Sequence, residues 1–120
     1  MKDVNVLTNN GVDINSSLEF LGDMDMYDDT LGEFLNGIDA KIEDIKKYKD
    51  ASDMPNYAIQ VHSLKSDAKY LGFTKLAELS YDHQLKSQDN DADYVNEHYD
   101  ELIKEANRIT SLVKEYLGRW

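Results

Sequence analysis

Apolar residues recur along most of this chain at intervals of three and four, and no stretch alternates with a period of two. The last quarter is the clearest. Val95, Tyr99, Leu102, Ala106, Ile109, Val113 and Tyr116 predict one amphipathic helix from about Asp93 to Tyr116. Leu31, Phe34, Ile38, Ile42 and Ile45 form the stripe of a second long helix, from about Met24 to Lys49. Its acidic start (Asp23 to Asp29) and its lysines at the far end (Lys46, Lys47, Lys49) both suit the helix dipole. Gly32 and Gly37 interrupt that helix at about 1 kcal/mol each relative to alanine, and read as tolerated exposed glycines. Pro55 suits the first turn of another helix, which runs to Leu71 and is closed by Gly72. Phe73-Thr74 then opens a helix to about Ser87, with Leu76, Leu79 and His83 on one face.

Upstream, Asp13 is placed to cap a short helix carrying Ile14, Leu18 and Leu21 and stopped by Gly22; Phe20 falls off its stripe as an exposed apolar spot. Residues 1–10 read as a flexible leader, and 11–120 as a single domain, the size of one ordinary hydrophobic core. Short polar connections between long amphipathic helices imply antiparallel neighbours. The expected fold is therefore all-α: an antiparallel up-down four-helix bundle with a short extra N-terminal helix across one end.

Charge narrows the partners. The 24 acidic against 13 basic residues leave a net charge of −11. Such a surface repels nucleic acid and anionic membranes, and no basic stripe offsets it. The chain has no cysteine, which excludes disulfides and thiolate metal sites, and no apolar run that reads as a signal peptide or a membrane span. These features suit a cytoplasmic protein. Met1 at the start fits a free-standing one, although the same chemistry would serve a module acting in cis within a hybrid kinase.

The candidate chemistry lies in His62-Ser63-Leu64-Lys65-Ser66-Asp67-Ala68-Lys69-Tyr70-Leu71-Gly72. Val61, Leu64, Ala68 and Leu71 share one helix face, while His62, Lys65, Ser66 and Lys69 share the other, so the histidine points away from the core. The run resembles the signature of histidine-containing phosphotransfer (HPt) domains, His-x-(Leu/Ile)-Lys-Gly-x-(Ala/Ser)-x-x-(Leu/Ile)-Gly. His62, Leu64, Lys65, Ala68, Leu71 and Gly72 match it; Ser66 stands where most of the family has glycine. The order of helices is also the order the resemblance implies, and Leu76-Ala77-Glu78-Leu79 lends weaker support.

The resemblance implies a phosphocarrier, not an enzyme with turnover of its own. His62 would accept a phosphoryl group and pass it on between receiver-domain aspartates, or take it from a histidine kinase. The partner receiver would supply the aspartate and the divalent metal; this chain would bring no cofactor and no metal site. An imidazole suits such a relay because it is nucleophilic near neutral pH, and phosphoryl transfer is catalysed mainly by positioning and charge neutralisation. Lys65, one turn from His62, is the candidate cation for the phosphoryl oxygens, with Lys69 a weaker one. Ser66 reads as a tolerated small residue whose hydroxyl can reach the imidazole or the phosphoryl group. Ile59 and Tyr70 flank the His62 face and, with apolar residues of the first two helices, are candidates for partner docking. A free face for docking favours a monomer.

Other readings are weaker. His83 occupies a position where the family has a core leucine, and reads as a partly buried histidine bonded to a neighbour; His98 reads as surface. Asp89, Asp91 and Asp93, with Asp100, imitate a calcium loop, but Tyr94 replaces the glycine of the turn and the last ligand is not glutamate. An acid-rich helix start explains the run better. The alternative function is a helical adaptor that binds receivers or other signalling proteins without phosphotransfer. An unrelated helical enzyme fails for want of a second catalytic group near His62.

Overall fold

Aspartates set the starts of four helices. Asp13, Asp23, Asp53 and Asp91 each accept a hydrogen bond from the backbone N–H three residues on, at Ser16, Met26, Asn56 and Tyr94. In the computed structural model, which describes residues 2–119, the elements are α1 (Asn5–Thr8), α2 (Ile14–Leu21), α3 (Met24–Asp50), α4 (Met54–Leu71), α5 (Thr74–Gln88) and α6 (Ala92–Leu117). No strand forms among the described residues; an isolated antiparallel bridge joins Val12 to Phe73. The protein is all-helical, and none of its described helices is long and apolar enough to cross a membrane.

The predicted stripes supply the core. Leu31, Phe34, Ile38 and Ile45 of α3 meet Val61, Leu64, Ala68 and Leu71 of α4, with Leu76 of α5 and the face of α6 from Val95 to Tyr116 completing the cluster. Helix α4 packs on α3 and on α5, α5 on α6, and α6 on α3. Ile42, Leu79 and Tyr99 lie only half inside.

Gly72 shows how the turn after α4 is made. Its φ of +80° is left-handed, and a Cβ there would collide with the Asp13 carbonyl. Asp13 N–H donates to the Gly72 carbonyl at 2.8 Å, so this glycine both ends α4 and seats the start of α2 against it. Tyr27, fully buried on α3, ties the same corner by donating to the Leu71 carbonyl at 2.8 Å.

Two expectations change. The stretch 2–10 is not loose throughout: α1 lies in it, Leu7 is fully buried, and Arg108 of α6 donates to the Asn10 carbonyl at 3.0 Å. Leu7 was hidden from a periodicity argument because a single turn, even with Val6 and Leu7 both apolar, is too short to show a stripe. Arg108 is itself held by Glu105, its Nε and a terminal nitrogen reaching the two carboxylate oxygens at 2.7 and 2.8 Å. Met1 lies outside the described residues. Gly37 is exposed as expected, but Gly32 is buried, with the Arg119 guanidinium 3.3 Å from where its Cβ would stand. A side chain at Gly32 would press on that arginine.

Candidate functional site

Helix α4 lies between α3 and α5, and its outer ridge carries His62, Ser66, Lys69 and Tyr70, all exposed. The core residues of α4 hold the helix by the opposite face, so His62 is presented on a rigid element.

The His62 ring is bonded to the neighbouring helix. Its Nδ1 lies 3.1 Å from Oε1 of Gln84 on α5. An amide oxygen only accepts, so Nδ1 carries the proton and donates it. The imidazole therefore has its lone pair on Nε2, the outer nitrogen. Gln84 is well suited to anchor it, being 8% exposed and fixed on a packed helix. The two residues stand at the edge of an open groove of about 610 Å³ between α4 and α5, lined also by Pro55, Ala58, Ile59, Gln88 and Asn90, none of them charged.

Lys65 reaches across the helix pair: its Nζ lies 5.0 Å from the centre of the Tyr81 ring on α5. Lys65 and Lys69 wall a second open cavity, of about 490 Å³, with Thr74, Ala77, Glu78 and Tyr81. Ser66 borders a separate hollow on the α3 side with Tyr70, Asp67 and Phe34. Ile59 is 62% exposed beside His62. Tyr70 packs its ring 5.6 Å from that of Phe20 on α2, which makes a small exposed aromatic pair two turns along the ridge. Ser63 and Asp67 are occupied by Lys41 of α3, each at 2.7 Å. So the sequence-predicted residues divide: His62 and Lys65 face α5, while Ser66 and Tyr70 face α2 and α3.

Gln84 and Tyr81 were not found by the motif. Nothing local marks them, because their role depends on the register between α4 and α5. The one signal was that Gln84 follows His83 on the inward side of α5.

His83 is more buried than its reading implied, at 1% exposure. Its Nε2–H donates to the His98 carbonyl at 3.2 Å, which leaves Nδ1 to accept from the Tyr57 hydroxyl at 2.8 Å. Burial lowers its pKa from the ordinary value; the His98 carbonyl works against that by holding the ring proton. His98, read as surface, is half-buried and stacks on Tyr94 with ring centres 4.2 Å apart. Burial in turn pushes the Tyr57 hydroxyl up, so it remains a donor throughout the neutral range.

Among the described residues no group of three or more histidines, cysteines or carboxylates is arranged to hold a metal ion. Asp91, from the calcium-like run, is the N-cap of α6. Comparison with protein-family models, curated proteins and solved structures finds no match.

Proposed function

We propose that the protein is a histidine phosphotransfer module of a two-component phosphorelay, with His62 as the phosphoryl acceptor. The observation that carries this reading is the His62–Gln84 hydrogen bond: it leaves an exposed imidazole on a rigid helix with its nucleophilic nitrogen outward.

The chemistry follows from that tautomer. The Nε2 lone pair attacks the phosphorus of a receiver's aspartyl phosphate. The P–O bond to the aspartate breaks, and its electron pair leaves with the carboxylate. The imidazole now bears phosphorus on Nε2 and a proton on Nδ1, and is cationic. Gln84 Oε1, already against that N–H, stabilises the new charge. The reverse step hands the phosphoryl group to the next aspartate. Divalent metal and aspartate belong to the partner in this reading. A phosphohistidine on a histidine kinase is the alternative donor.

The module's helices α3 to α6 are proposed to form an antiparallel up-down four-helix bundle. Contacts that run in opposite directions support this: Asp28 bonds Tyr116 while Lys49 lies over Tyr99, and Tyr27 bonds Leu71 while Lys41 bonds Ser63. Helices α1 and α2 supplement it. Docking would use the uncharged groove with Ile59 and the Phe20–Tyr70 pair, which are apolar surfaces in an otherwise acidic chain.

The test is intact mass after incubation with phosphoramidate or a phosphorylated receiver domain. One phosphoryl adduct, acid-labile, base-stable and missing from His62→Gln, is expected. No adduct from either donor, with the helical spectrum intact, overturns the relay and leaves the adaptor that binds without transfer.

A further inference from the structure

Helices α4 and α5 are joined beside His62 by two neighbouring rungs. His62 meets Gln84, and three residues further along α4, Lys65 meets Tyr81, three residues back along α5. The second rung holds its lysine by an aromatic ring, as Lys47 and Lys86 are held, and not by a carboxylate. Lys2, Lys41, Lys46 and Lys49 are each paired with an aspartate. Lys65 has no carboxylate of the described residues within 4.0 Å; its ammonium sits over an aromatic face 5.0 Å away.

The difference matters for a cation meant to meet a phosphoryl group. A carboxylate partner neutralises a lysine, and an incoming anion must displace it. An aromatic face attracts the ammonium through its quadrupole, yet carries no net charge and leaves the N–H donors free to turn outward. Carboxylates are at hand: Asp13 and Glu78 line the same cavity as Lys65. Asp13 already caps α2 through Ser16 N–H at 3.1 Å. Glu78, one turn before Tyr81, lines that cavity without pairing with the lysine.

We infer that Tyr81 is a positioning residue for the phosphoryl transfer: its ring holds Lys65, one turn from His62 along α4, without a neutralising carboxylate. This rests on the relay reading of His62. Tyr81 is 45% exposed, so replacing it disturbs little of the core.

The experiment is the rate of His62 adduct formation from phosphoramidate, followed by intact mass, for wild type, Lys65→Ala, Tyr81→Leu, Tyr81→Phe and the Lys65→Ala/Tyr81→Leu pair. Lys65→Ala is expected to slow the reaction about tenfold, as loss of one charge-assisted contact. Tyr81→Leu is expected to slow it about two- to fivefold, the scale of an exposed cation–π contact. Tyr81→Phe keeps the aromatic face and should stay within about twofold of wild type. The double variant should be no slower than Lys65→Ala alone, because the ring acts only through the lysine. A wild-type rate for Tyr81→Leu, or losses that multiply in the double variant, overturns the role of Tyr81 while leaving the relay standing. Complete absence of adduct in the wild type overturns both.

Discussion

His62 and His83 lie on the same pair of helices, and each is bonded across the α4–α5 interface, yet their chemistry is opposite. His62 spends one nitrogen on Gln84 and presents the other to solvent. His83 spends both, on Tyr57 and on the His98 carbonyl, and is 1% exposed. Their partners are intermixed: Gln84, which orients the first histidine, directly follows the second in the chain. The lesson is that reactivity depends on a spare nitrogen with room in front of it. A ring with both nitrogens committed is a structural post, however close it lies to the site.

The sharpest test of this contrast exchanges the two for glutamine. His62→Gln should abolish the phosphoryl adduct completely, whereas His83→Gln, if folded, should still accept one phosphoryl group at His62; intact mass decides both. Next in size is Tyr57→Phe. It removes the donor to His83 Nδ1 inside the core, and should lower unfolding stability by about 1–3 kcal/mol in urea titrations, the penalty of an unsatisfied buried acceptor. The adduct at His62 should form normally in that variant.

Acid should act on the fold through His83. The pKa of His83 is lowered by folding, so the unfolded chain binds the proton more readily. Its contribution to stability is complete above the unfolded value of about 6.5. It is lost as pH falls from there toward the lowered folded value. The slope from this one group should reach at most about 1.4 kcal/mol per pH unit. Urea midpoints between neutral and mildly acid pH should show it, and His83→Gln should flatten that segment of the curve. The smallest expected effect is at Gln84→Leu. Losing one hydrogen bond to the ring should slow adduct formation by about three- to tenfold, with the stability nearly that of wild type. An unchanged rate would mean that Gln84 does not orient His62.

Much of this was legible in the chain. The aspartate caps and the glycine stops at Gly22 and Gly72 mark helix ends locally, and the stripe residues of α3, α4 and α6 announce their buried faces. His62 was legible because a core-facing stripe on α4 leaves the opposite face outside. Leu7 and Gly32 were not, since each is covered or buried by a distant part of the fold, α6 for the first and Arg119 for the second. His83 was placed correctly on the inner face of α5, but its depth depends on Tyr57 and α6 closing over it.

The sequence by itself determined an all-helical chain, where most helices begin and end, and that a histidine with lysines beyond it rides on an outer face. Those properties follow from the 3.6-residue period and from capping, which act within a few residues. Only the tertiary structure decided which nitrogen of His62 is free and where Lys65 rests. It also decided which histidine has both ring nitrogens bonded. Each depends on the register of α5 against α4, set by packing between residues some twenty positions apart in the chain.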